Sequence, residues 1–233
     1  MKICKRFAVV LLAPLFLQSS SLFFAQNTPP FRAGLKSFTI PPPTSDLVET
    51  GPDYRVYLEP LAPTANRLIA AFIRLADLDG LRSTGSAALA TYALIEVSRR
   101  AEFVDVTPDQ FKEIADSMGT QFGASVNATL KDQQDEINRK LKALNSSAGD
   151  VALDKPVQLG TLFNKPDACA YGMLMSLSSS GKTKKMVMGM TLLRVQSRIL
   201  FAYTYTEYKD ESSVQWIRDT DEHWADAILQ FNK

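Results

Sequence analysis

Along most of the chain the apolar positions recur with one of two periods, two for strands and 3.6 for helices, and the switches between them outline the elements. After residue 53 the first such segments are Tyr54–Leu58, Arg67–Leu75 and Leu89–Val97, each predicted as a strand. The middle one rests on the run Leu68-Ile69-Ala70-Ala71-Phe72-Ile73, too apolar for periodicity to separate strand from helix. Pro60 and Pro63 before it and Asp77 to Gly80 after it favour the strand.

Two helices follow. Thr107, Pro108 and Gln110 supply an N-cap, a first-turn proline and a capping box, and Val106 and Phe111 have the spacing of a hydrophobic staple. Phe111, Ile114 and Met118 then place an apolar face on a helix over about Pro108–Met118. A thinner stripe of Val126, Leu130, Ile137, Leu141 and Leu144 predicts a second helix over about Val126–Leu144, ended by Asn145, Ser146 and Gly149. Such a stripe suits a helix that covers the domain without crossing its centre.

The carboxy-terminal third reads as strands at Val157–Phe163, Ala170–Leu177, Lys185–Arg194 and Ile199–Tyr208, with links short enough for antiparallel hairpins. In the last strand Ile199, Phe201, Tyr203 and Tyr205 share one face and Leu200, Ala202, Thr204 and Thr206 the other. A final helix starts at Ser212 or Ser213, where Ser212 and Gln215 have capping-box spacing, and buries Val214, Ile217, Trp224, Ile228 and Leu229. The expectation is one α+β domain over residues 53–233, a mostly antiparallel sheet of about six strands covered by about three helices.

The amino-terminal pattern is different in kind. Lys2, Lys5 and Arg6 precede the uncharged apolar run Phe7 to Leu17, and Ser19, Ser20 and Ser21 follow it, the three parts of a secretory signal peptide over residues 1–25. The run is shorter than the roughly 20 residues that span a bilayer, and Pro14 interrupts it. Cleavage is expected between Ser21 and Ala25, which makes the mature chain an exported, periplasmic or extracellular protein. Residues 26–52, with Pro29, Pro30 and Pro41-Pro42-Pro43 among polar residues, read as a flexible leader. No later apolar stretch is long enough to cross a membrane.

Charge and cysteine count narrow the chemistry. Loss of Lys2, Lys5 and Arg6 from the 26 basic residues, against 25 acidic ones, leaves a mature net charge of about −2, which argues against a general nucleic-acid binder. Cys4 leaves with the signal, so Cys169 has no disulfide partner within the chain and reads as a small buried hydrophobe. His223 is the single histidine, so histidine-cluster zinc sites and a histidine triad with a Gly-x-Ser-x-Gly turn have no basis. Gly181-Lys182-Thr183 ends like a phosphate loop, but Ser176 stands where the first glycine belongs and two strands flank the segment. Asp219, Asp221, Glu222 and Asp226 read as a solvated helix face. No catalytic set and no cofactor emerges from these residues.

The unusual feature is a methionine cluster. Met173 and Met175 share a strand face, as do Met186, Met188 and Met190, and a hairpin would bring both sets toward Phe201, Tyr203 and Tyr205. Core packing is the plain reading of these eight residues. An apolar ligand pocket is the functional one, and Cu(I) held by thioethers is an alternative.

The strand pair Met186–Leu193 and Ile199–Tyr208, followed by an acidic-capped helix ending Trp224-Ala225-Asp226-Ala227-Ile228-Leu229, resembles the end of uncharacterised exported bacterial proteins. It is similar, more distantly, to the PsbP-like α/β/α sandwich. The likeness covers the carboxy-terminal third and carries no diagnostic catalytic motif, and it implies a non-enzymatic accessory or binding role. The expectation is therefore an exported, non-catalytic protein that binds a protein partner or an apolar small molecule. A hydrolase using carboxylates dispersed in sequence is the alternative in another class.

Overall fold

The computed structural model describes residues 31–146, 149–179 and 182–233. The signal segment, leader residues 26–30 and Gly181 lie outside the described residues.

The long apolar runs form one antiparallel sheet. Its strands are β3 (Leu47–Glu49), β4 (Asn66–Arg74), β5 (Thr91–Ser98), β6 (Val151–Leu153), β7 (Val157–Lys165), β8 (Ala168–Ser179), β9 (Lys182–Val195) and β10 (Arg198–Glu207). They lie in the order β3-β4-β5-β10-β9-β8-β6, with β7 also paired to β8. A separate hairpin joins β1 (Phe31–Ala33) to β2 (Lys36–Phe38). The helices are α1 (Gly51–Arg55), α2 (Leu75–Thr84), α3 (Pro108–Leu144) and α4 (Glu211–Phe231). The protein is thus an α+β domain built on a large antiparallel sheet.

The β9–β10 hairpin sets the register of the centre. Gln196 and Ser197 both take left-handed backbone (φ 47° and 66°), the two-residue turn whose twist matches that of paired strands. Val195 therefore faces Arg198, and the alternation carries Leu200, Ala202 and Thr204 to one side and Phe201, Tyr203 and Tyr205 to the other.

Helix α4 covers the first side. Trp224, Ala225 and Ile228 pack with Phe72, Ile95, Leu193, Leu200 and Ala202, and the edge of Trp224 meets Phe72 at 5.7 Å between ring centres. Phe38, Ile40 and Leu47 close the same core, and the Trp224 indole N–H donates to the Pro41 carbonyl at 2.7 Å. Described residues before position 53 are therefore part of the domain, where the prolines predict a leader. Pro41 stops pairing after β2, but its carbonyl and the neighbouring apolar side chains still tie the segment to α4.

Four further expectations change. Tyr54–Leu58 is not a strand: Pro52 at the start of α1 favours a helical turn, and a 3-10 turn follows at Glu59–Leu61. Leu75–Thr84, expected as a strand end and loop, is helical and closes on Gly85 in left-handed backbone. The two helices expected over Pro108–Met118 and Val126–Leu144 are one continuous 37-residue α3, because nothing between them, not even Gly119, breaks its backbone. Helix α4 starts one residue before the expected Ser212, capped by Asp210, whose carboxylate accepts the Ser212 N–H at 2.8 Å.

The acidic group on α4 divides by face. Glu222 and Asp226 pair with Lys165 at the surface (3.0 and 2.8 Å), and Asp219 accepts from Gln215. Asp221, expected in solvent with them, is instead buried above Gly189 of β9, where no side chain keeps it from the sheet. Its Oδ1 accepts a hydrogen bond from Thr204, its Oδ2 has none, and burial pushes the carboxyl up to about 7.

Candidate ligand cavity between the long helix and the sheet

The second side of the sheet is built in rows. Reading across β8, β9, β10 and β5, one row runs Met173, Met188, Tyr205, Tyr92, and the next runs Tyr171, Met190, Tyr203, Leu94. Directly opposed side chains lie close enough to touch along each row. Tyr92 and Tyr205 stack with ring centres 4.4 Å apart and planes 11° apart, and the rings of Phe201, Tyr203 and Tyr205 follow one another at 6.5 Å spacings.

Helix α3 crosses this face and is held at both ends. Near its start Phe111 and Ala115 are buried, and the Tyr171 hydroxyl donates to the Ala115 carbonyl at 2.7 Å. Toward its end Asn138 pairs with both backbone groups of Val151 (2.7 and 2.9 Å), and Gln134 accepts the Leu153 N–H at 2.9 Å. Lys140 donates to the Ala62 carbonyl at 2.6 Å. Along the middle of the helix Met118, Val126, Leu130 and Ile137 overhang a cavity of about 310 Å³.

The floor of that cavity is the sheet. Met173, Met175, Met188, Met190, Tyr203 and Tyr205, six of the eight residues singled out from the sequence, belong to its wall. The other two share the face but not the wall. Met186 is buried against the cluster that holds Leu58, Leu78 and Leu81, and Phe201 packs toward Val106 and Phe111.

Sequence reasoning missed the rest of the wall, including Tyr92 and Glu96 of β5. Glu96 is 1% exposed; its Oε2 accepts from Asn66 Nδ2 at 2.8 Å, and burial pushes its carboxyl up to about 7. Burial likewise raises the phenols of Tyr203 and Tyr205 well above their ordinary value, with Glu96 adding to both. A carboxylate inside the apolar run Tyr92-Ala93-Leu94-Ile95-Glu96-Val97 was the available signal.

The cavity wall has two carboxyl residues, Glu96 and the exposed Asp154, and no basic side chain. Its chemistry is that of a mostly apolar slot with a buried carboxyl, Glu96, in its wall. Among the described residues no group of three His, Cys, Asp or Glu side chains is placed to hold a metal ion. Cys169 is buried, and burial raises its thiol, which fits a packing role. His223 is exposed on α4, away from the cavity wall. No helix among the described residues is long and apolar enough to cross a membrane.

No family model matches the chain, and no curated protein does. Among solved structures it is similar to a single-substitution mutant of the protein Mog1, at 12% identity over 81% of this chain and 84% of that one, with a TM-score of 0.28. It is similar also to the Saccharomyces cerevisiae Ran-binding protein Mog1p, at 10% identity over 84% and 86% of the two chains, again with a TM-score of 0.28. Likenesses at that level say nothing about the cavity.

Proposed function

We propose that this protein is an exported, non-catalytic carrier of a small apolar molecule, which it holds between α3 and the methionine and tyrosine face of the sheet. The observation that carries this reading is the cavity itself. Ligand sites begin at roughly 300 Å³ and are lined mostly by apolar side chains; this one measures about 310 Å³ and is walled chiefly by methionine, tyrosine and aliphatic residues. Water in such a slot finds few partners on thioether and hydrocarbon walls, so an apolar group that displaces it gains affinity. Methionine adapts its shape to what it touches, which suits a wall that must close around a guest.

Native mass spectrometry of the mature protein from its own host tests the reading. The expected result is a folded species heavier than the polypeptide, whose extra mass leaves on denaturation, on a chain cut between Ser21 and Ala25. Bare polypeptide that also takes up no added apolar compound would overturn the carrier reading, and an adduct of copper mass would favour the Cu(I) alternative. The hydrolase alternative has one observation in its favour: burial raises the Glu96 carboxyl to about 7, so that about half of it carries at neutral pH the proton a general acid needs. It requires turnover of a glycoside or ester that Glu96→Gln abolishes.

A further inference from the structure

The cavity wall has a definite charge preference. Its two carboxyls, Glu96 on β5 and Asp154 just beyond β6, are both acidic and belong to strands four steps apart in the sheet, and no lysine, arginine or histidine belongs to the wall among the described residues. Asp154 is exposed and joins none of the ion pairs among the described residues. Glu96 is buried in the wall and accepts a hydrogen bond from Asn66 at Oε2. The nearest cation to influence it, Lys140, is already bonded to the Ala62 carbonyl and paired with Glu136 at 2.7 Å.

Glu96 stands opposite Phe201 of β10, and Tyr203 and then Tyr205 follow on the same face, with Tyr92 stacked on the latter. Aromatic faces attract a positive charge when water is excluded, and a buried carboxylate attracts one more strongly. An anion at the same place meets a like charge, and a neutral head group gains neither attraction.

Resting on the carrier reading, we propose that the cavity selects an apolar molecule bearing a positively charged amine, whose ammonium group is held by Glu96 against the faces of Tyr203 and Tyr205. The arriving ammonium also stabilises the ionised form of Glu96, so the guest and the carboxylate favour each other. Fatty acids of the same length are excluded by the same charge.

Isothermal titration of the mature protein with octylamine, octanol and octanoate at pH 7.5 tests this. The amine is expected to bind at least about tenfold more tightly than the alcohol, and the acid most weakly. Glu96→Gln should weaken the amine about tenfold or more and leave octanol within about threefold. Equal binding of amine and alcohol, or tightest binding of the acid, overturns the charge preference and leaves the carrier reading standing. Failure of all three to bind removes both. The wild-type ranking decides the matter even if the substituted protein does not fold.

Discussion

Asp221 offers the sharpest test of how this sheet is covered. Its carboxyl lies buried between α4 and Gly189, with Thr204 donating to one oxygen and Thr191 beside it. In the unfolded chain an aspartate titrates near 3.9, and in the folded protein burial pushes this one up to about 7. Between those values the folded state binds a proton that the unfolded state has released, so stability falls as pH rises across that window and levels off above it. The contribution is fully present below about pH 4, amounts to about 3 kcal/mol at pH 5 and is close to zero at pH 8. Asp221→Asn removes the titration while its amide still accepts from Thr204 and gains a donor toward Thr191. Urea unfolding followed by tryptophan fluorescence, with Trp224 as a buried reporter, should therefore show the variant gaining roughly 3 kcal/mol on the wild type between pH 5 and pH 8. Curves that stay parallel to within about 0.5 kcal/mol across that range would refute the reasoning.

Other consequences are open to the same methods. An alanine at Gly189 would place its Cβ 2.8 Å from both Asp221 Cγ and Ile217 Cγ2, so Gly189→Ala should destabilise by about 3 kcal/mol in urea unfolding. Phe38→Ala should lose about 3–5 kcal/mol because the ring is buried beneath α4; a residue in a detached leader would lose nothing. Thr107→Ala removes the side-chain cap of α3 and should lower the unfolding free energy by about 1 kcal/mol. Octylamine affinity should rise from pH 6 to pH 8 as Glu96 ionises, and Glu96→Gln should flatten that rise in the same titrations.

Much of the sheet was legible because alternation is a strong signal where one strand runs into the next through a short turn. Met186 to Tyr205 could be placed on faces residue by residue, and the rows of methionine and tyrosine follow from that alternation alone. The amino-terminal strands were not legible, since three-residue strands among prolines carry too little periodicity and acquire their place only through contacts such as Trp224 with Pro41. The gap between the stripes that end at Met118 and begin at Val126 made α3 look like two helices, because periodicity is local while the tethers at Ala115, Gln134 and Asn138 are not. Glu96 was missed and Asp221 misread for a related reason. A carboxyl's burial depends on which side of the sheet its neighbours leave open, and the gap over Gly189 exists only in three dimensions.

The cavity is the centre of this account, and uptake of the neutral fluorophore N-phenyl-1-naphthylamine tests it most directly. Wild-type protein should bind the dye saturably at one site with enhanced emission. Met175→Trp, which puts a larger side chain into the cavity wall, should lose that binding by at least about tenfold while unfolding within about 2 kcal/mol of the wild type. Binding that is unchanged in Met175→Trp, or no saturable binding by the folded wild type, would contradict the assignment of this cavity as the ligand site.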